Sequence, residues 1–104
     1  MWYYLEMSQT IEEVKKKAAP IFDQYGIKYA AVFGSAARNQ DKPDSDVDLM
    51  VHFGTPMGMF AYMRFVHELE NILHRKVDIV TEQSINKFVK PYIIADLTIV
   101  YEKR

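Results

Sequence analysis

The residues of this chain best suited to chemistry are three aspartates and one glycine–serine pair. Asp46 and Asp48 stand two apart in Ser45-Asp46-Val47-Asp48-Leu49, where polar and apolar residues alternate. In a strand that spacing sends both carboxylates to one face. Two like charges so placed repel unless a proton or cation comes between them. Hard oxygen donors suit Mg²⁺, which takes one or two protein carboxylates and fills its remaining positions with water and phosphate oxygens. Asp78 is a lone acid in the apolar run Val77-Asp78-Ile79-Val80. If that run pairs with the first acidic strand, three carboxylates converge. Upstream, Gly34-Ser35 closes an apolar run, and a short helical turn is expected through Ala36, Ala37 and Arg38. Glycine lets a bulky anion approach the backbone, while serine adds a hydroxyl beside free N–H groups at a helix start. This is phosphate-binding geometry, and Arg38 is a candidate helper for phosphate charge.

These residues need elements to hold them. Thr10 and Glu13 match a capping box, and Ile11, Val14, Ala18, Phe22 and Tyr25 follow at helical spacing. Gly26 suits the helix end, and Pro20 should kink or split the helix. Tyr29 to Phe33 reads as a buried strand. From Asp46 to Phe53, Val47, Leu49, Val51 and Phe53 share one face, with Asp46, Asp48, Met50 and His52 on the other. A stripe of Met59, Met63, Val66, Leu69 and Leu73 predicts a helix over about 57–75. Val77 to Val80 is a further strand. Ser84 caps an expected helix carrying Ile85, Phe88 and Tyr92, with a kink at Pro91, and Leu97 to Tyr101 is a last strand. The order is helix, strand, strand, helix, strand, helix, strand. That predicts an α/β (α+β) fold, a small mixed sheet packed with helices, with 1–104 as a single domain.

Composition removes other classes. A formal net charge of −1 gives no electrostatic signal for nucleic acid or membrane. With no cysteine, disulfides, thiolate metal sites and cysteine nucleophiles are all excluded. The first residues show neither a basic nor an apolar targeting pattern, and no apolar run approaches a membrane span, so a cytoplasmic protein is expected. His52, His67 and His74 lack metal-ligand spacing, although alternation puts His52 on the carboxylate face. Ser35 has no histidine base nearby. Met57 to Met63 read as core and helix-start packing. Trp2, Tyr3 and Tyr4 either pack on the core or form a partner surface. Asp-x-Asp and Gly-Ser are each common, but both at fixed offsets should arise by chance in about one chain in a thousand. Acids interrupting buried strands are also costly without a compensating partner.

The pattern Gly34-Ser35-x10-Asp46-x-Asp48, with Asp78 in a later strand, resembles the DNA polymerase beta-like nucleotidyltransferase superfamily. Gly34-Ser35-Ala36-Ala37-Arg38 is similar to its minimal nucleotidyltransferase branch, many members of which are antitoxins paired with helical HEPN ribonuclease toxins. The likeness spans about residues 27–101. Asn39 stands where the family often has glycine, and asparagine also tolerates left-handed backbone angles. The resemblance implies that Asp46 and Asp48 hold two Mg²⁺ ions, that Asp78 completes the metal and catalytic site, and that Gly34 and Ser35 hold the triphosphate of ATP. It further implies transfer of AMP to a tyrosine hydroxyl of a HEPN toxin, a type VII-like antitoxin activity. Two alternatives stay open: an antitoxin that neutralises by binding alone, and a transferase acting on a small molecule or RNA. Self-association is a further possibility.

Overall fold

The computed structural model describes residues 9–37, 45–81 and 97–103. The expected helix after Ser84, the Trp2-Tyr3-Tyr4 cluster and Arg38 lie outside them. Four strands form one mixed sheet: β1 (Ile27–Phe33), β2 (Val47–Phe53), β3 (Val77–Val80) and β4 (Thr98–Glu102), in the order β3-β2-β1-β4. β1 is antiparallel to both neighbours, whereas β2 and β3 run parallel. A parallel pair needs a long crossover. Here it is α3 (Met59–Leu73), fifteen residues long.

The N-terminal helical segment comes in three pieces, and Pro20 is the reason. Proline has no N–H, and its ring crowds the carbonyl four residues back. The chain widens into a π-helical turn over Val14–Ala18, between α1 (Gln9–Glu13) and α2 (Ala19–Gln24), with Pro20 in the first turn of α2. Gly26 ends α2 in the left-handed region at φ 70°, as its position in the sequence suggests. The capping-box expectation fails. Thr10 lies inside α1, buried, and its hydroxyl accepts a hydrogen bond from Arg75 Nη1 at 2.6 Å. A side chain engaged by tertiary structure is not available to cap.

Helices and sheet share one core. Ile11, Val14, Ala18 and Phe22 meet Phe65, Leu69 and Leu73 of α3 over the strand residues Ile27, Ala30, Val32, Val47, Leu49, Val51, Val77 and Val100. Phe65 is the aromatic centre, with ring centroids 6.2 Å from Phe22, 5.3 Å from Tyr25 and 6.1 Å from Phe53. This corrects the stripe read from sequence. Met59 and Met63 are exposed, at 75% and 58%, and the buried line is Phe65-Leu69-Leu73. The two lines share Leu69 and Leu73 and part in the first half of the helix, where Phe65 and not the methionines packs inward. No described helix is long and apolar enough to cross a membrane.

Truncating Phe65 to alanine should therefore cost about 3–5 kcal/mol of folding stability. Met63→Ala should stay within about 0.5 kcal/mol. Chemical denaturation of both variants checks this, and equal losses would put the core on the wrong side of α3.

Candidate active site

Strand parity separates packing from chemistry in β2. Val47, Leu49 and Val51 are fully buried in the core, so Asp48 must point to the opposite face. Parallel pairing then aligns Asp48 with Asp78 and Val47 with Val77. Both carboxylates therefore stand on the same face, side by side on neighbouring strands. On the other flank, Asp48 pairs with Phe33, the last residue of β1, immediately before Gly34.

Gly34 has φ 77°, a conformation glycine adopts freely and a side chain resists. A Cβ there would also fall 2.6 Å from Asp48 Oδ2. The turn calls for glycine, and any side chain there would also displace the Asp48 carboxylate. Residues 34–37 form turns, and Arg38, where the expected helical turn ends, lies outside the described residues. Ser35 is half-buried at the turn, and Ala36 dips back into the core at 1% exposure, anchoring the loop beside the acids.

The electrostatics follow from this crowding. Burial first, then the charges of Asp78 and Asp46, and then a hydrogen bond with Asp78 raise the Asp48 pKa above its ordinary value. Each contribution disfavours the ionised form, and a nearby cation would reverse them. Asp46 and Asp78 are exposed. Asp46 acts on Asp48 through its charge, but among the described residues no three carboxylate or imidazole groups close around one point. The donor set still fits Mg²⁺, which needs only one or two protein carboxylates beside phosphate oxygens and water. Asp48, with Asp46 ahead of it and Asp78 beside it at the same edge, offers such a set.

His52 shares the face of Asp48 but lies four residues further along β2, on the order of 13 Å away at strand rise. It is exposed, its ring 6.1 Å from that of Tyr29. His67 and His74 are exposed, on α3 and at its C-terminal cap. Sequence reading missed Arg75 and Lys76. The Lys76 carbonyl accepts the Val47 N–H at 2.8 Å, and Arg75 Nε donates to the Ser45 carbonyl at 2.8 Å. The available signal was position alone: a basic pair directly before the acid-bearing strand Val77–Val80.

Comparison with known proteins identifies the family. A family model described as "Polymerase beta, Nucleotidyltransferase" matches residues 16–104. A Methanocaldococcus jannaschii protein named for protein adenylyltransferase activity is 40% identical over 84 residues, covering 81% of this chain and 90% of that protein. The protein adenylyltransferase MntA of Thermococcus cleftensis is 28% identical over 96 residues, covering 92% and 95%. Among solved structures, a minimal nucleotidyltransferase superposes with a TM-score of 0.73 at 26% identity, over 89% of this chain and 95% of that one. A toxin–antitoxin crystal structure with AMP-PNP gives 0.70 at 16% identity, over 86% and 74%, a likeness of fold. Most of the chain, including every acid of the site, lies within the family match, and the chain belongs to the polymerase beta nucleotidyltransferase family.

Proposed function

We propose that this chain transfers AMP from ATP to a tyrosine hydroxyl of a helical HEPN-type toxin and thereby acts as its antitoxin. The observation that carries the reading is Asp48, half-buried between Asp78 and Gly34, where its negative charge is unfavourable until a cation offsets it. Support for the acceptor comes from relatives. Several carry the name protein adenylyltransferase, and one structural neighbour is a complex of an MNT antitoxin with a tri-AMPylated HEPN toxin from Shewanella oneidensis.

In this reading Asp46 and Asp48 hold two Mg²⁺ ions, with Asp78 beside them on the acceptor side. Bound there, the metal neutralises charge on the attacking and leaving oxygens. The turn at Gly34 and Ser35 holds the triphosphate, with Arg38 assisting. Asp78 orients the incoming hydroxyl and takes its proton. The acceptor oxygen forms a bond to the α-phosphorus while the bond from that phosphorus to the bridging oxygen breaks, and pyrophosphate leaves. Adding AMP brings bulk and negative charge to a ribonuclease that must bind RNA phosphates, so repulsion opposes its substrate.

The decisive experiment incubates the chain with the product of its neighbouring gene, ATP and Mg²⁺, and weighs that product intact. A gain of one or more AMP units, lost with Asp48→Asn, is the expected result. A bound but unmodified partner would replace transfer by occlusion, and no association would turn attention to a small molecule or RNA. Ser35→Ala, removing one hydrogen bond to a charged group, should cost about 1.5–3 kcal/mol of transition-state stabilisation, roughly ten- to a hundredfold in rate. Gly34→Ala should lose more, because it disturbs both the turn and Asp48.

Asp48 should also oppose folding when no cation is bound. A carboxyl whose pKa is raised in the folded state leaves stability intact below its ordinary value of 3.8 and removes it as pH rises through the raised one. Asp48→Asn is therefore expected to melt higher than the wild type at neutral pH without divalent ions. The gap should close on acidification or on adding Mg²⁺ to the wild type. A lower melting temperature for the variant across the whole range would contradict the electrostatic account.

A further inference from the structure

Asp46 lies just ahead of β2, so no ladder hydrogen bond of the strand itself defines its position. Its two neighbours are held instead by consecutive residues of the turn between α3 and β3. Arg75 Nε donates to the Ser45 carbonyl at 2.8 Å, and the Lys76 carbonyl accepts the Val47 N–H at 2.8 Å. The same guanidinium donates from Nη1 to the buried hydroxyl of Thr10 on α1 at 2.6 Å. The turn is itself fixed to α3 through Glu70. The Glu70 carbonyl accepts the His74 N–H at 2.8 Å, and Glu70 Oε2 accepts the Val77 N–H at 3.1 Å. His74, the C-terminal cap of α3 directly before Arg75, takes a left-handed conformation, φ 58°. One segment thus carries Asp78, holds the backbone on both sides of Asp46 and ties both to the helical layer.

We propose that Arg75 is a positioning residue of the transfer site: its guanidinium bridges the Ser45 carbonyl and the Thr10 hydroxyl, and so fixes Asp46 where it shares a divalent cation with Asp48. The inference rests on the reading of Asp46 and Asp48 as metal-holding. Arginine suits this role because its planar fork presents two N–H donors at a fixed angle to acceptors on different elements. Lysine keeps the charge but presents a single point of donation. Groups that orient metal ligands from behind typically change metal affinity about ten- to a hundredfold when removed.

The test measures Mn²⁺ binding to the full chain by electron paramagnetic resonance of the free ion, with folding checked by circular dichroism. Arg75→Met is expected to weaken Mn²⁺ binding about tenfold and Arg75→Lys to recover part of that loss. Thr10→Val, which leaves the Ser45 contact in place, should weaken it less than Arg75→Met. In the transfer assay the same variants should need more metal, with kcat approaching the wild-type value at saturating metal. A purely structural residue would lower the melting temperature without moving the metal requirement. Wild-type Mn²⁺ affinity in folded Arg75→Met overturns the proposal. If Arg75→Met does not fold, unchanged affinity in Arg75→Lys and Thr10→Val together overturns it. Wild-type protein that binds Mn²⁺ no better than an Asp46→Asn, Asp48→Asn double variant would instead sink the metal reading on which the proposal stands.

Discussion

The parallel register of β2 and β3 sets Asp48 beside Asp78, and the charge of its neighbour disfavours the ionised form of the half-buried Asp48. Much of the surrounding structure serves to hold that arrangement against its own repulsion. The alternation of β2 allows no retreat. Rotating Asp48 away would bring Val47 and Leu49 out of a core where both are fully buried. Gly34 closes the remaining side, with its α-carbon where a larger residue would collide with Asp48 Oδ2. The energy that keeps the acids together is supplied on the opposite face, by Phe22, Phe65, Leu69 and the strand valines.

This division of labour explains the connection between the strands. A hairpin from β2 to β3 would give antiparallel pairing, with the start of one strand against the end of the other. The α3 crossover brings the chain back to the same edge, so that two strand beginnings, each with an acid at its second residue, lie together. The helix that makes the return also supplies Phe65 and Leu69 to the core and Glu70 to the turn before β3. Fold and site are therefore joined through one element. A change in the phase of α3 would alter both the core and the position of Asp78.

How much of this was legible in the sequence depended on the range of the interaction. The strands Asp46–Phe53 and Val77–Val80 were clear, because period-two alternation is local and Val47, Leu49, Val51 and Phe53 keep it, with the buried Met50 its one break. Gly34 and the three aspartates were readable because backbone freedom and like charge constrain residue type so strongly. The failures were tertiary. Thr10 has every local mark of a cap, yet Arg75, 65 residues away, takes its hydroxyl. Met59 and Met63 extend an apolar stripe, but only the aromatic cluster from Phe22, Tyr25 and Phe53 determines that Phe65 faces inward. Arg75 itself resembles any surface cation until Ser45 is known to lie beneath it.

The three acids differ in how firmly their backbones are held, and the difference suits what each must do. Asp48 sits within β2, between Phe33 on one side and Asp78 on the other, so its position is determined by two ladders. Asp78 belongs to β3, which among the described residues pairs only with β2, and its side chain is exposed. Asp46 lies before the ladder begins and depends on the turn at Arg75 and Lys76. Mg²⁺ takes one or two protein carboxylates and completes its coordination with phosphate oxygens and water. In the proposed reading the central strand fixes one of them through its ladders, and the turn at Arg75 fixes the other. Asp-x-Asp at a strand start is thus more than two acids on one face: it joins a ladder-fixed carboxylate to one whose placement other residues set.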